Sequence, residues 1–321
     1  LQATAVAHPN IALVKYWGKQ DGPGNRPAVP SISITLEALR TRTRVEFDPS
    51  LDADAFMLGE DSDPAVSARA SRCLDVFRER AGRSLHARIE TENNFPTGAG
   101  LASSASGFAA LVTAADRALG LNLPHEELSR IARRSSGSAA RSIFGGFVEM
   151  PLAEPEEAAR PLLEPEEWPL EVVVAVTETG SKSVGSTEGM QRTAATSDYY
   201  HAWLDAAAMD FAAGRSAVLA RDFERLATVS EKSCLKMHGL MLSADPGLIY
   251  WNEASVACLH RVRALRQAGA AVFFTMDAGP QVKAVCLPGH AGRVAESLSA
   301  VPGVGRVIRS RLGSGAVVER P

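Results

Sequence analysis

The segment from Pro151 to Pro169, PLAEPEEAARPLLEPEEWP, carries five prolines and six glutamates. Proline lacks a backbone N–H and its ring clashes with the preceding helical turn, so neither a helix nor a central strand runs through such a stretch. The 321-residue chain is thereby cut into two lengths, each large enough for a core of its own. The expected organisation is two domains, 1–168 and 169–321.

Before the break, apolar or alternating runs separated by turn residues predict strands over Ala3–Ala7, Asn10–Val14, Ser31–Leu36 and Thr43–Phe47. DGPGNRPAVP at 21–30 predicts a surface loop, and LDADAFMLGEDSDP at 51–64 a second break. A helix is expected from about Pro64 to Arg80, on the spacing of Val66, Ala70, Leu74 and Phe77. Strand Ala87–Glu92 and a small-residue helix from about Ser104 to Leu119 follow, then a helix with Asn122 as its cap and Pro124 in its first turn, burying Leu128, Ile131 and Ala132. Beyond the break come strand Leu170–Thr177, a polar stretch to Ser197, a helix capped by Asp198, and a helix over Asp222–His238. A further helix over Glu253–Ala268 sets Val256, Leu259, Val262 and Leu265 near one face. The last expected element is a hairpin: strand Ala271–Met276, turn Asp277–Pro280, strand Gln281–Leu287.

Charge narrows the function classes. With 34 Lys and Arg against 37 acids, the net charge of −3 gives no broad cationic field for a polyanion, so nucleic acid is not an expected partner. No segment approaches the ~18 apolar residues of a membrane span, and LQATAVAHPN lacks a cationic region before an apolar one. Cys73, Cys234, Cys258 and Cys286 are widely spaced without a CxxC, and His8, His238 and His260 form no metal-ligand spacing. Buried thiols in a cytoplasmic protein are the expectation. Only six of the 34 cations are lysines, which draws attention to Lys15, Lys19 and Lys182 as places needing a compact point charge. On a continuing strand, period-two alternation would set Lys15 and Lys19 on one face.

PTGAGLASSAS at 96–106 lies between a strand and a small-residue helix. That arrangement presents unpaired backbone amides and the positive helix end to an anion, with Ser103 and Ser104 adding hydroxyls where a helix cap is also expected. No GK[ST] follows, so it is not a Walker loop. The pattern P-x-x-x-G-L-x-S-S over Pro96–Ser104 resembles the phosphate loop of the GHMP kinase superfamily. NIALVKYWGK (10–19), SISITL (31–36), ENNFPTGAGLASSASGFAALV (92–112), SGSAARSIFGG (136–146), STEGM (186–190) and TMDAGPQVK (275–283) narrow the resemblance to the mevalonate diphosphate decarboxylase family, over nearly the whole chain.

The resemblance implies an α+β, two-domain GHMP kinase-like fold, with an N-terminal α/β domain like domain 2 of ribosomal protein S5, a ferredoxin-like C-terminal α/β domain, and a cleft between them. It implies ATP and Mg2+ as cofactors, mevalonate 5-diphosphate as substrate, isopentenyl diphosphate as product, and a homodimer. Asp277 matches the catalytic aspartate and Lys15 the lysine that positions it. Tyr16, Lys19, Arg69, Ser136, Ser138, Arg141, Lys182 and Ser186 match substrate-binding positions. Pro96, Gly98, Ala99, Gly100, Leu101, Ala102, Ser103 and Ser104 match the ATP loop, with Ser104 the candidate magnesium ligand. A tertiary hydroxyl is a poor nucleophile and phosphoryl transfer rests on positioning, so a carboxylate beside the hydroxyl is what the chemistry asks for. Alone, Asp277 would read as a turn residue. Pro30 and Ala140 depart from the family's usual polar residue and cysteine, which leaves a monophosphate substrate as an alternative, and the phosphate loop by itself would suffice for a small-molecule kinase without decarboxylation.

Overall fold

The computed structural model describes residues 1–59, 64–95, 101–152, 157–178, 180 and 183–320. The first half contains β1 (Gln2–Ala7), β2 (Asn10–Val14), β3 (Ser31–Thr35), β4 (Thr41–Asp48), β5 (Ala55–Leu58), α1 (Pro64–Ala81), β6 (His86–Asn93), α2 (Ser103–Leu119) and α3 (His125–Ser135). A 3-10 turn (Ala139–Ile143), β7 (Phe147–Met150) and β8 (Arg160–Leu163) complete it. The second half contains β9 (Glu171–Val176), α4 (Ser186–Thr196), α5 (Tyr200–Leu219), α6 (Phe223–Leu242), α7 (Glu253–Gln267), β10 (Val272–Thr275), β11 (Val282–Cys286), α8 (Ala291–Ser299), β12 (Arg306–Arg311) and β13 (Val317–Val318).

Three sheets result, ordered β13-β1-β4-β6-β5, β2-β3-β7-β8 and β10-β11-β9-β12. Strand β4, TRTRVEFD, shows how sequence sets the first: Thr41, Thr43, Val45 and Phe47 face inward, while the residues between them remain half-exposed. Helix α2 packs on this face, and its run of alanines lets it lie close to β1 and β4 while α1 and α3 cover its other sides. Ile11, Leu13 and Ile34 of the second sheet share one core with Val172, Val174, Phe273 and Ile308 of the third, so the two halves are joined by packed side chains. The polypeptide also returns: Val317 and Val318 pair with Val6 and Ala5 of β1.

The proline-rich tract holds neither a helix nor a central strand among its described residues but an edge strand, β8, with Pro161 opposite Val148 on the outermost strand, the place in a sheet where proline is tolerated. Strand β5 replaces the expected break and pairs parallel to β6. Helix α4 occupies much of the stretch read as merely polar. Asn122 sits at φ 53° outside α3, whose cap is Pro124; α5 starts after Tyr199, so Asp198 caps nothing; and Val256 faces outward at 39% exposure. All four cysteines are buried and free, as expected. Among the described residues, no helix is long and apolar enough to cross a membrane.

Candidate active site

The β10–β11 hairpin delivers a carboxylate to the junction of the two halves. Asp277 follows β10, and Gly279 N–H closes its turn on the Asp277 carbonyl at 2.8 Å. Behind the turn, the buried Cys234 of α6 accepts from Met276 N–H at 3.2 Å and lies 3.6 Å from the Met276 carbonyl, which fixes the residue before Asp277. Lys15 Nζ meets Asp277 Oδ1 at 2.7 Å, and Lys283 Nζ lies 3.6 Å from Oδ2. Both ammonium side chains are fully buried, whereas the carboxylate is about one-quarter exposed. Burial pushes the Asp277 carboxyl up, but Lys15, Lys283 and Arg141 outweigh it and hold the pKa at about 2. Burial drives the Lys283 ammonium down against the pull of Asp277.

Lys15 does not reach this place by strand alternation. Strand β2 ends at Val14 after its register with β3 shifts between Ala12 and Val14, and such an irregularity re-aims the chain. The Ala12 carbonyl, turned out of the ladder, accepts from Lys15 Nζ at 2.7 Å and from Thr275 Oγ1 at 3.3 Å. Gly18 then turns at φ +102°, and Lys19 leads elsewhere: its Nζ donates to Asn25 Oδ1 at 2.8 Å and to Thr187 Oγ1 of α4 at 3.1 Å. Burial, then the nearby Arg69 guanidinium, lowers the Lys19 pKa.

Arg141 is 2% exposed and held by hydroxyls and an amide: Nη1 to Ser31 Oγ at 2.9 Å, Nε to Ser33 Oγ at 3.1 Å and to Asn10 Oδ1 at 3.3 Å. Its guanidinium lies 5.6 Å from the Tyr16 ring centre. Burial pushes the Arg141 pKa down to about 10 and the Tyr16 pKa up to about 12. The Tyr16 hydroxyl is buried and, among the described residues, has no hydrogen-bond partner. Gly137 makes its place, since a Cβ there would collide with the hydroxyl. Ser136 and Ser138 flank Gly137, their hydroxyls 3.3 Å apart.

Helix α2 starts without a side-chain cap. Ala102 is its N-cap in the left-handed region at φ 59°, uncommon for a residue with a Cβ, and neither Ser103 nor Ser104 caps the helix. Ser104 is exposed there. Beside it lies a cavity of about 80 Å3 lined by Phe56, Leu58, Val66, Arg69, Thr91, Asn93, Ser103, Ser104 and Phe108, among others. Arg69 stacks 5.3 Å from the Phe108 ring centre. Ser186 opens α4, one residue before the Thr187 that meets Lys19. Pro96, Gly98, Ala99, Gly100 and Lys182 lie outside the described residues.

The structure thus gathers Lys15, Tyr16, Arg141 and Asp277 around one point. Lys19, Arg69 and the α4 start form a neighbouring group, with Leu101–Ser104 at the head of α2. Lys283 was not among the residues singled out. Its signal was present, since it is one of only six lysines and sits in an apolar strand two residues past the DAGPQ turn. Among the described residues, no group of three or more His, Cys, Asp or Glu could hold a metal ion.

Comparison with known proteins agrees with this geometry. Residues 7–159 match the diphosphomevalonate decarboxylase-like N-terminal domain family, and residues 172–307 match the mevalonate 5-diphosphate decarboxylase C-terminal domain family. The Candida albicans diphosphomevalonate decarboxylase is 38% identical over 297 residues, covering 87% of this chain and 82% of that protein. The crystal structure of mevalonate diphosphate decarboxylase from Staphylococcus aureus superposes with a TM-score of 0.93 at 38% identity, covering 99% of this chain and 98% of that one. A second structure, described as MDDEF in complex with MVAPP, AMPPCP and magnesium, gives a TM-score of 0.91 at 38% identity, covering 100% and 99%.

Proposed function

The chain belongs to the mevalonate diphosphate decarboxylase family, and from that premise we propose how its cleft performs the family's reaction. The activity is ATP-dependent decarboxylation of mevalonate 5-diphosphate, giving isopentenyl diphosphate, ADP, phosphate and carbon dioxide. The observation that carries the residue assignment is the charge balance at the cleft. Among the described residues, Lys15, Lys283 and Arg141 surround the Asp277 carboxylate, and Lys19 and Arg69 stand close to one another. An excess of buried cations suits a substrate bearing a carboxylate and a diphosphate.

In this reading Asp277 faces the tertiary hydroxyl. A carboxylate with a pKa of about 2 is a weak base, so it acts chiefly by orienting the hydroxyl and accepting its proton as the bond to phosphorus forms. Arrival of the substrate's negative charges would raise that pKa towards a more useful range. Loss of phosphate from the 3-position then leaves electron demand two bonds from the carboxylate, and cleavage of the carbon–carbon bond supplies the alkene pair without an electron sink. Arg141 takes a substrate anion, and the unpartnered Tyr16 hydroxyl, with Ser136 and Ser138 beside it, supplies polar contacts. Lys19, Arg69, Ser186 and Lys182 complete the set.

The uncapped start of α2 and the strained Ala102 support a phosphate-binding role for the 96–104 loop, whose amides would receive the ATP phosphates. The adjoining cavity, apolar with Thr91 and Asn93 at its wall, suits the adenine. With no carboxylate cluster among the described residues, a magnesium ion would bind mainly through the nucleotide phosphates, with the Ser104 hydroxyl as the protein's oxygen. Its chemistry there is to neutralise phosphate charge. We extend the reading to a division of domains at 168/169, between the two matched families that end at 159 and begin at 172, with Val317–Val318 returning to the sheet of the first domain. The family resemblance supports a homodimer, and four free thiols fit the reducing cytoplasm.

The test is a product assay on mevalonate 5-diphosphate, its monophosphate and free mevalonate. ADP, phosphate and carbon dioxide should form in equal amounts from the diphosphate, only with ATP and a divalent cation. ADP accumulating with a stable 3-phosphate and no gas would make the protein a kinase. Ser104→Ala should slow ATP turnover on the order of tenfold or more, the loss of a hydroxyl contact to a charged group. Because Ser104 caps nothing, its melting temperature should hold. Unchanged kinetics would remove Ser104 from the nucleotide site.

A further inference from the structure

We propose that Lys283 is a positioning residue for the reaction: from β11 it holds the second carboxylate oxygen of Asp277, so that Lys15 and Lys283 together fix the plane and the charge of the catalytic carboxylate. The geometry is specific. Lys283 stands opposite Thr275 in the β10–β11 ladder, on the strand that returns from the Asp277 turn, and its Nζ lies 3.6 Å from Oδ2 while Lys15 takes Oδ1 at 2.7 Å. A lysine wholly buried in the second of two hairpin strands is costly unless a charge answers it, and Asp277 is the anion that does. With one oxygen on each ammonium, rotation about the Cβ–Cγ bond is opposed from both sides, and such restraint is what a transfer governed by positioning rewards.

The inference rests on the reading of Asp277 as the group at the substrate hydroxyl. Among the described residues, the charged and titratable groups on the elements packed on that carboxylate are Lys15 beyond β2, Lys283 on β11, Arg141 on the 3-10 turn, and Cys234 and His238 on α6. Burial raises the Cys234 pKa and lowers that of His238 to about 3, so both are uncharged at neutral pH and the three cations set the state of Asp277.

The experiment compares wild type with Lys283→Met and Lys283→Arg. It uses carboxyl 13C NMR of the resting enzyme and steady-state kinetics against pH. Removing one cation from a carboxylate typically raises its pKa by roughly one to three units. In Lys283→Met the Asp277 carboxyl should titrate higher by about that much, and the acid limb of kcat should move up with it. At pH 7 kcat should fall roughly 10- to 100-fold. KM for ATP and for mevalonate 5-diphosphate should stay within about threefold, since neither ligand's contacts are removed. Lys283→Arg keeps the charge and should hold the titration at its wild-type position. An Asp277 titration unmoved in Lys283→Met, or a loss spread equally over kcat, both KM values and melting temperature, overturns the proposal. A moved titration with unchanged kcat also overturns it, since Lys283 would then set the charge of the carboxylate without bearing on the reaction; Asp277→Asn measured alongside, with kcat retained, would instead overturn the reading of Asp277 itself. Should Lys283→Met fail to fold, Lys283→Arg still decides: a shifted Asp277 titration despite the retained charge contradicts the role.

Discussion

Asp277→Asn should lower kcat by at least about 10² to 10⁴-fold, the usual worth of a positioned base, while ATP still binds. Asparagine keeps the size and turn chemistry of the residue, so the 2.8 Å closure by Gly279 N–H survives. What is lost is the negative charge. Phosphorylation precedes carbon–carbon cleavage in the proposed order, so ADP and carbon dioxide formation should fall together. A variant that phosphorylates at near the wild-type rate but releases no carbon dioxide would move Asp277 to the second step.

The same change bears on stability. Two fully buried ammonium groups lose their counter-charge, and breaking a buried pair from one side costs about 3–5 kcal/mol. The sign with pH follows from the depressed carboxyl. With a folded pKa of about 2 below an ordinary 3.8, Asp277 stabilises the fold at pH values above 3.8, and that contribution fades as pH falls through 2. The melting-temperature gap between wild type and Asp277→Asn should therefore be widest near neutrality and narrow in acid.

Arg141→Gln should raise KM for mevalonate 5-diphosphate on the order of 10²-fold and leave KM for ATP within about threefold. Glutamine retains hydrogen bonds toward Ser31 or Ser33 but neither the charge nor the fork, and Arg141 is too buried for a neighbour to take its place. The charge of Arg141 also helps to depress Asp277, so kcat should decline in addition, more steeply towards acid pH. An equal rise in both KM values would place Arg141 away from the substrate.

Local chemistry decided what the sequence made legible. The DAGP turn, with strands on either side, gave the hairpin that carries Asp277, and the small-residue run after the loop gave α2. Strand β5 escaped because AFML lies among acidic residues, partly exposed and without clear alternation. Helix α4 escaped because STEGMQRTAAT buries only Gly189, Met190 and Thr193, too small a stripe for a periodic signal. The NIALVKYWGK motif marks Lys15, but period-two alternation does not give its direction. The Ala12–Val14 register shift, invisible in a string of apolar letters, aims it. Lys283 was missed because a lysine between valine and alanine reads as an outward residue of a half-exposed strand. The face it occupies is set by the sheet and helices around it, which only the tertiary structure supplies.

The pairing of Val317 and Val318 with β1 joins segments far apart in the chain. Strand β1 takes its outer neighbour from a segment more than 300 residues away in sequence, so the sheet under α2 is closed at that edge by a pairing of very long range. Contacts of such long sequence separation are slow to form, and an exposed strand edge is where wrong pairings begin. Closure of the sheet under α2 at this edge is therefore expected among the slower steps of folding.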